Sequence, residues 1–249
     1  MIEVKELCKS FGNKTILDKI SFKVSNEIYG LLGPNGSGKS TIMKILAGIL
    51  EPTEGQVIID GIDSRSSLKV KEIVGYVPET PVLYESLTPA ELFNFVGKVR
   101  KITRENLEEK VNHFAKAFEI EKYLDQFTGS LSFGTQQKVS IISALLHNPK
   151  ILVLDEVMNG LDARTARILR ELLMEFKREG KSIVFSTHIL PIAETICDRI
   201  GVIYQGKLIA EGSVEELKEK VHEQNLEDVF LKLTESSEIA AVVQALKGL

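Results

Sequence analysis

Only two cysteines, Cys8 and Cys197, occur in the 249 residues, far apart and without metal-type spacing. A disulfide framework and a zinc site therefore have little support, and a reducing cytosol is the natural compartment. Long apolar runs are missing as well. The opening Met1-Ile-Glu-Val-Lys-Glu6 lacks the core of a signal peptide, and charged residues break every apolar stretch before it could cross a bilayer. If the chain serves a membrane, another polypeptide does the spanning. Positive charge is not in excess, since the formal net charge is −4, so the basic stripe by which nucleic-acid binders are recognised is absent and no nucleic-acid partner is expected. There is no internal repeat or low-complexity tract, which argues for one unit rather than a tandem pair. The length suffices for one large domain or a core with a subdomain.

What the chain does contain is Gly33-Pro34-Asn35-Gly36-Ser37-Gly38-Lys39-Ser40-Thr41, which fits the phosphate-binding loop Gly-x-x-x-x-Gly-Lys-Ser without mismatch. The glycines let the backbone curl so that successive N–H groups point at phosphate oxygens. A helix opening at Lys39 adds the positive end of its dipole. In such a loop Lys39 reaches the β and γ phosphates, and Ser40 supplies a hydroxyl to the accompanying magnesium ion. The context agrees: Glu27-Ile-Tyr-Gly-Leu-Leu-Gly33 reads as a short buried strand, and Ser40 to Ala47 reads as a helix stopped at Gly48.

Around this loop the chain changes character in stages. Ile2 to Leu7 and Ile20 to Val24 alternate like half-buried strands, with a turn at Gly12-Asn13, and predict a small antiparallel layer. Val57 to Ile59 and Val74 to Val77 read as further strands. Helical signals follow Pro78: Thr88-Pro-Ala-Glu91 is a capping box with proline at the first helical position, and Leu107, Val111, Phe114 and Phe118 recur at helical spacing. Strand–helix alternation resumes with Ile151 to Glu156, a helix through Leu172 and Phe176, the strand Ser182 to Ser186 and a hairpin from Val202 to Ala210. The expected division is a nucleotide-binding core from residues 1–78 and 149–213, a helical lobe at 79–148 and a charged helical tail at 214–249.

Four apolar residues, Ile151 to Leu154, followed by Asp155-Glu156 describe a buried parallel strand with two acids at its carboxyl end, where open α/β sheets bind ligands. Asp155 suits the magnesium shell, and Glu156 suits a general base that polarises an attacking water. Taken alone, such acids could equally be solvated loop charges; the phosphate loop upstream favours the site.

Leu131-Ser132-Phe133-Gly134-Thr135, ahead of the apolar helical run Val139 to Leu146, resembles the Leu-Ser-Gly-Gly-Gln signature of the nucleotide-binding domains of ATP-binding cassette (ABC) transporters. Phe133 stands for a glycine and Thr135 for the glutamine, yet Ser132 and the N–H groups near Gly134 can still receive an anion at a helix N-terminus. The resemblance covers essentially the whole chain. It implies a P-loop NTPase fold of ABC type, α/β, with a mixed RecA-like central sheet, an antiparallel β layer and an inserted helical subdomain. It places Phe11 against adenine with Ile16 nearby, makes Asn159-Gly-Leu-Asp162 the loop that crosses a dimer interface, and makes His188 a contact of the γ phosphate. Glu79 takes the place of the family's magnesium-sensing glutamine, and Val157-Met158 that of its Pro-Thr.

The function so implied is ATP hydrolysis with Mg2+ by a head-to-tail dimer, homomeric or heteromeric, in which Ser132 and Gly134 of one copy cap the nucleotide held by the other. Lys39, Glu156 and His188 would be its catalytic residues. The subunit would sit peripherally on the cytoplasmic face of a membrane and energise a separate permease. The glutamate at 79, the 159–162 loop and the tail Asn225 to Thr234 resemble the multidrug and polysaccharide export branch. Two other classes stay open at this point: a soluble ABC ATPase acting on nucleic acid or ribosomes, and an ATP-binding module that no longer hydrolyses. ATPase assays and co-purification with a permease separate them.

Overall fold

In the computed structural model, residues 1–221 and 225–233 are described; residues 222–224 and 234–249 of the expected tail lie outside them. Two sheets organise the molecule. The first is antiparallel and four-stranded, in the order β2-β1-β4-β5, from β1 (Ile2–Phe11), β2 (Lys14–Val24), β4 (Glu54–Ile59) and β5 (Ile62–Asp63). The turn at Gly12-Asn13 joins its first two strands, as the alternation predicted. Both strands run longer than their periodic cores because register shifts interrupt the pairing of β1 with β2.

The second sheet holds six strands in the order β10-β9-β3-β8-β7-β6. Its members are β3 (Ile28–Leu32), β6 (Val74–Val77), β7 (Ile151–Asp155), β8 (Ser182–Thr187), β9 (Arg199–Tyr204) and β10 (Lys207–Gly212). All neighbours are parallel except β10, which returns from β9 as a hairpin. Val57 to Ile59 and Val74 to Val77 thus go to different sheets. Their runs look alike in sequence, but β4 pairs with β1 and β6 pairs with β7.

The central strands β3, β7 and β8 are buried throughout, as parallel strands covered on both faces must be. Their period-2 alternation feeds two cores. Tyr29, Leu31, Ile151, Val153 and Val184 pack toward the antiparallel sheet and α1 (Lys39–Leu46), whereas Leu152, Leu154, Ile183 and Phe185 pack toward the helices. Those helices are α3 (Pro89–Val99), α4 (Arg104–Ala117), α5 (Phe133–Leu145) and α6 (Ala163–Arg178), while α2 (Ser67–Ile73) leads into β6.

Helix starts follow local chemistry. At α3 the Glu91 N–H donates to Thr88 Oγ1 at 3.2 Å and the Thr88 N–H donates to Glu91 Oε2 at 2.9 Å, completing the capping box. Ser132 caps α5, and Asp162 caps α6 by accepting the Thr165 N–H at 2.8 Å. That bond, the Thr165 hydroxyl and the Lys138 ammonium hold the Asp162 carboxyl well below its ordinary range.

A third apolar cluster joins α7 (Leu190–Ile196), α8 (Val214–Val221) and α9 (Leu226–Leu233) to β3 and β9 through Leu32, Ile200, Val202, Leu217 and Val229. No helix among the described residues is long and apolar enough to cross a membrane.

Candidate nucleotide site

Strand β3 ends at Leu32 and the chain turns through residues 33–38 before α1 begins at Lys39. Space fixes two of the glycines. A Cβ on Gly33 would lie 2.3 Å from the Ile203 carbonyl oxygen and 2.6 Å from Ser37 Oγ. Gly38 has φ +110°, a backbone that side chains rarely adopt, and a Cβ there would lie 2.5 Å from Leu17 Cδ2. The first N–H groups of α1 have no partner inside the helix. Ser37 Oγ is buried without a hydrogen-bond partner.

This loop forms one wall of a cleft of about 480 Å³. Asn35, Gly36, Gly38, Lys39, Ser40 and Thr41 line it from the loop, and Phe11, Lys14 and Ile16 from the antiparallel sheet; Glu79 and Glu156 close the opposite side. Phe11 is 51% exposed, which removes it from the core, and the Lys9 ammonium stands 4.9 Å from its ring centre. Lys14 is a lining residue that the sequence reading did not single out. Gly33, Pro34 and Ser37 lie behind the lining.

The parallel strand β7 ends in Asp155, and Glu156 directly after it lines the cleft. Asp155 is 1% exposed, and its Oδ1 accepts the Ser186 hydroxyl at 2.6 Å. The same Ser186 Oγ accepts the Glu156 N–H at 3.0 Å, so one hydroxyl at the end of β8 organises both acids. Ser186 went unnoticed in the sequence; its only signal was a small polar residue at the end of an otherwise apolar strand. For Tyr76 on β6, burial first, then the charges of Asp155 and Glu79, push the phenol well above the ordinary value.

Glu156 is 5% exposed and adopts φ +49°. Its Oε2 lies 2.9 Å from His188 Nδ1, and its Oε1, which has no hydrogen-bond partner, lies 3.6 Å from Lys39 Nζ. Lys39 Nζ donates to the carbonyl oxygens of Gly33 at 2.8 Å and Pro34 at 3.3 Å. Lysine, acid and histidine therefore form one chain of contacts from the phosphate loop to the end of β8. His188 follows β8 directly and is exposed.

The crowded glycine turn, the open N–H groups at the start of α1 and the Lys39 ammonium on the cleft wall fit a triphosphate, whose oxygens need N–H groups and cations. The described residues hold no group of three or more His, Cys, Asp or Glu able to bind a metal. A magnesium ion here would rest on Ser40, Asp155 and the phosphates themselves, a hard-oxygen set that fits it.

Ser132 and Gly134 are not on the cleft. They open α5, where a Cβ on Gly134 would lie 2.6 Å from the Gly160 carbonyl oxygen, and the Phe133 ring covers Gly160. In one chain the cleft gathers Phe11, Ile16, Asn35, Gly36, Gly38, Lys39, Ser40, Thr41, Glu79 and Glu156, with His188 in contact with Glu156, while the signature stands apart.

A family model described as ABC transporter matches residues 17–159. Over 221 residues the chain is 38% identical to an uncharacterized ABC transporter ATP-binding protein of Methanocaldococcus jannaschii, covering 88% of this chain and 80% of that one. It is 36% identical over 240 residues to the probable multidrug ABC transporter ATP-binding protein YbhF of Escherichia coli, covering 94% of this chain but 41% of that longer protein. Among solved structures, a dimeric ATP-binding cassette in a post-hydrolysis state bound to ADP and Pi superposes with a TM-score of 0.78 at 27% identity, covering 86% of this chain and 98% of the other.

Proposed function

The chain belongs to the ABC transporter family and is an ABC-type ATPase, and from that membership we propose that two cassettes close over ATP and use its hydrolysis to drive export through a separate membrane permease. The observation that carries the mechanism is Glu156, buried at the end of β7 on the wall of the phosphate cleft, with one oxygen at His188 and the other facing Lys39.

In this reading the N–H groups of residues 36–41 take the triphosphate, and Lys39 exchanges the Gly33 and Pro34 carbonyls for β and γ oxygens. That movement frees Glu156 Oε1, already without a hydrogen bond, to accept the proton of the attacking water. His188 Nδ1, carrying its proton, donates to Oε2 and holds the carboxylate in place. Water adds to the γ phosphorus, the bond to the β–γ bridging oxygen breaks, and ADP leaves with Pi. Ser40 and Asp155, with Glu79 at the margin, would hold a magnesium ion, which would supply charge neutralisation on the triphosphate.

Ser132 and Gly134 lie away from their own chain's cleft, so their contribution would come from a second copy. Reciprocal capping, each copy giving and receiving the signature, is the corresponding symmetric arrangement, and the dimeric cassette to which the chain is similar supports it. Residues 1–78 and 149–213 would act as the ATP-binding core, 79–148 as the signature-bearing lobe and 214–249 as the tail.

A groove of about 600 Å³ between core and lobe supports a further protein partner. Val82, Tyr84, Phe95, Val99 and Ile49 line it, with Val82 85% exposed, more clustered apolar surface than an isolated chain favours. We assign it to a cytoplasmic segment of the permease, which would hold the ATPase on that face of the membrane. The export direction draws on the sequence features at residues 79, 159–162 and 225–234 and on the printed name of the multidrug relative.

The test uses the purified protein. Mg2+-dependent ATP hydrolysis, indifferent to added nucleic acid, together with capture of a membrane-spanning polypeptide from solubilised membranes, supports the reading. Absence of turnover with that permease bound, or stimulation by nucleic acid, contradicts it.

A further inference from the structure

Gln137 lies in the second turn of α5 and its side chain is 0% exposed. A buried primary amide has two N–H groups and an oxygen to satisfy without water. Nε2 donates to the carbonyl oxygen of Val157 at 3.3 Å, whereas Oε1 meets no hydrogen-bond partner. An apolar side chain would fill the same space without an orphaned oxygen, so packing alone does not account for the amide.

The bond's target gives the account. Val157 follows Glu156, whose φ of +49° is uncommon for a residue with a side chain and persists where the surroundings over-determine it. The Glu156 N–H donates to both oxygens of Ser186, at 3.0 and 3.2 Å, and the Asn159 N–H donates to the Glu156 carbonyl at 3.0 Å. Gln137 holds the next carbonyl along. Other residues of α5 grip the same loop: Lys138 Nζ pairs with Asp162 Oδ2 at 3.0 Å, Gly134 abuts the Gly160 carbonyl, and Phe133 covers Gly160.

We propose that Gln137 is a positioning residue for Glu156: through the Val157 carbonyl it sets the aim of the carboxylate and ties that aim to the helix that begins at the signature. A chain whose Ser132 engages nucleotide in its partner thereby has its own acid set in register. The inference rests on Glu156 being the general base.

Two variants test it. Gln137→Met keeps the volume and removes the donor, and kcat for ATP should fall about tenfold, the worth of one positioning hydrogen bond, with KM and melting temperature near those of the wild type. Gln137→Glu can donate to Val157 only while protonated, which burial favours, so its kcat relative to wild type should fall as pH rises from about 6 to about 9. Wild-type turnover in Gln137→Met, or a flat pH ratio in Gln137→Glu, overturns the proposal; should Gln137→Met fail to fold, the pH ratio decides alone. Glu156→Gln is measured alongside. If it still turns over, the base assignment has failed; if it is inactive while Gln137→Met runs at the wild-type rate, only the positioning role has failed.

Discussion

His188 and Glu156 meet at 2.9 Å, Nδ1 to Oε2, across 32 residues of sequence and from the ends of adjacent parallel strands. The contact occupies one carboxylate oxygen and leaves the second 3.6 Å from Lys39 on the phosphate loop. Parallel strands β7 and β8 are what make the meeting possible. Each ends at the same edge of the sheet, and each places its polar residues one step beyond a run of apolar ones.

Removing that contact gives the first expectation. His188→Ala should lower ATP turnover by about 100-fold while leaving nucleotide affinity within a few-fold, because in the proposed mechanism the lost group holds the acid in place. Steady-state hydrolysis and equilibrium nucleotide binding, measured on one preparation, check it. Equal loss in both would assign His188 to binding instead.

The glycine turn gives a steric one. In Gly33→Ala the new methyl would meet the Ile203 carbonyl, which is backbone and cannot rotate away. The substitution should destabilise the fold by about 1–3 kcal/mol, the usual cost of overpacking, read from urea unfolding. It should also weaken ATP binding, since the loop shifts to make room. An unchanged midpoint would mean that the turn is looser than its contacts imply.

A third expectation concerns pH. Burial, reinforced by the charges of Arg100 and Lys110, pushes the His147 imidazole from its ordinary 6.5 down to about 4, against the opposing hydrogen bond to the Val74 carbonyl. Between those values the unfolded chain binds a proton that the folded chain does not, so stability rises with pH across the window. The contribution is complete above 6.5 and is lost as pH falls toward 4. His147→Leu should flatten this part of the stability profile in urea titrations from about pH 7 to about pH 5.

Much of this architecture was legible in the residues. Apolar runs bounded by glycine or acids marked β3 and β7, and the capping box marked α3, because each signal is local and complete in a few residues. The phosphate loop was legible for the same reason. What the sequence hid was partnership. Nothing near Val57 or Val74 says that their strands join different sheets, and nothing near Ser186 says that its hydroxyl serves two acids from another strand. Gln137 carries no signal of its own in the sequence, and its meaning depends on a carbonyl 20 residues away. The signature residues went the other way: their motif was readable, yet one chain leaves them apart from the cleft.

In the proposed mechanism, ATP closes two cassettes on each other. Glu156→Gln, which keeps the shape of the acid but cannot take the proton, should trap that state. Sedimentation equilibrium of this variant with ATP and Mg2+ is predicted to give a dimer carrying one ATP per chain that reverts to monomer when nucleotide is removed. A species that binds ATP to saturation and stays monomeric, with no second cassette able to join it, would contradict the account.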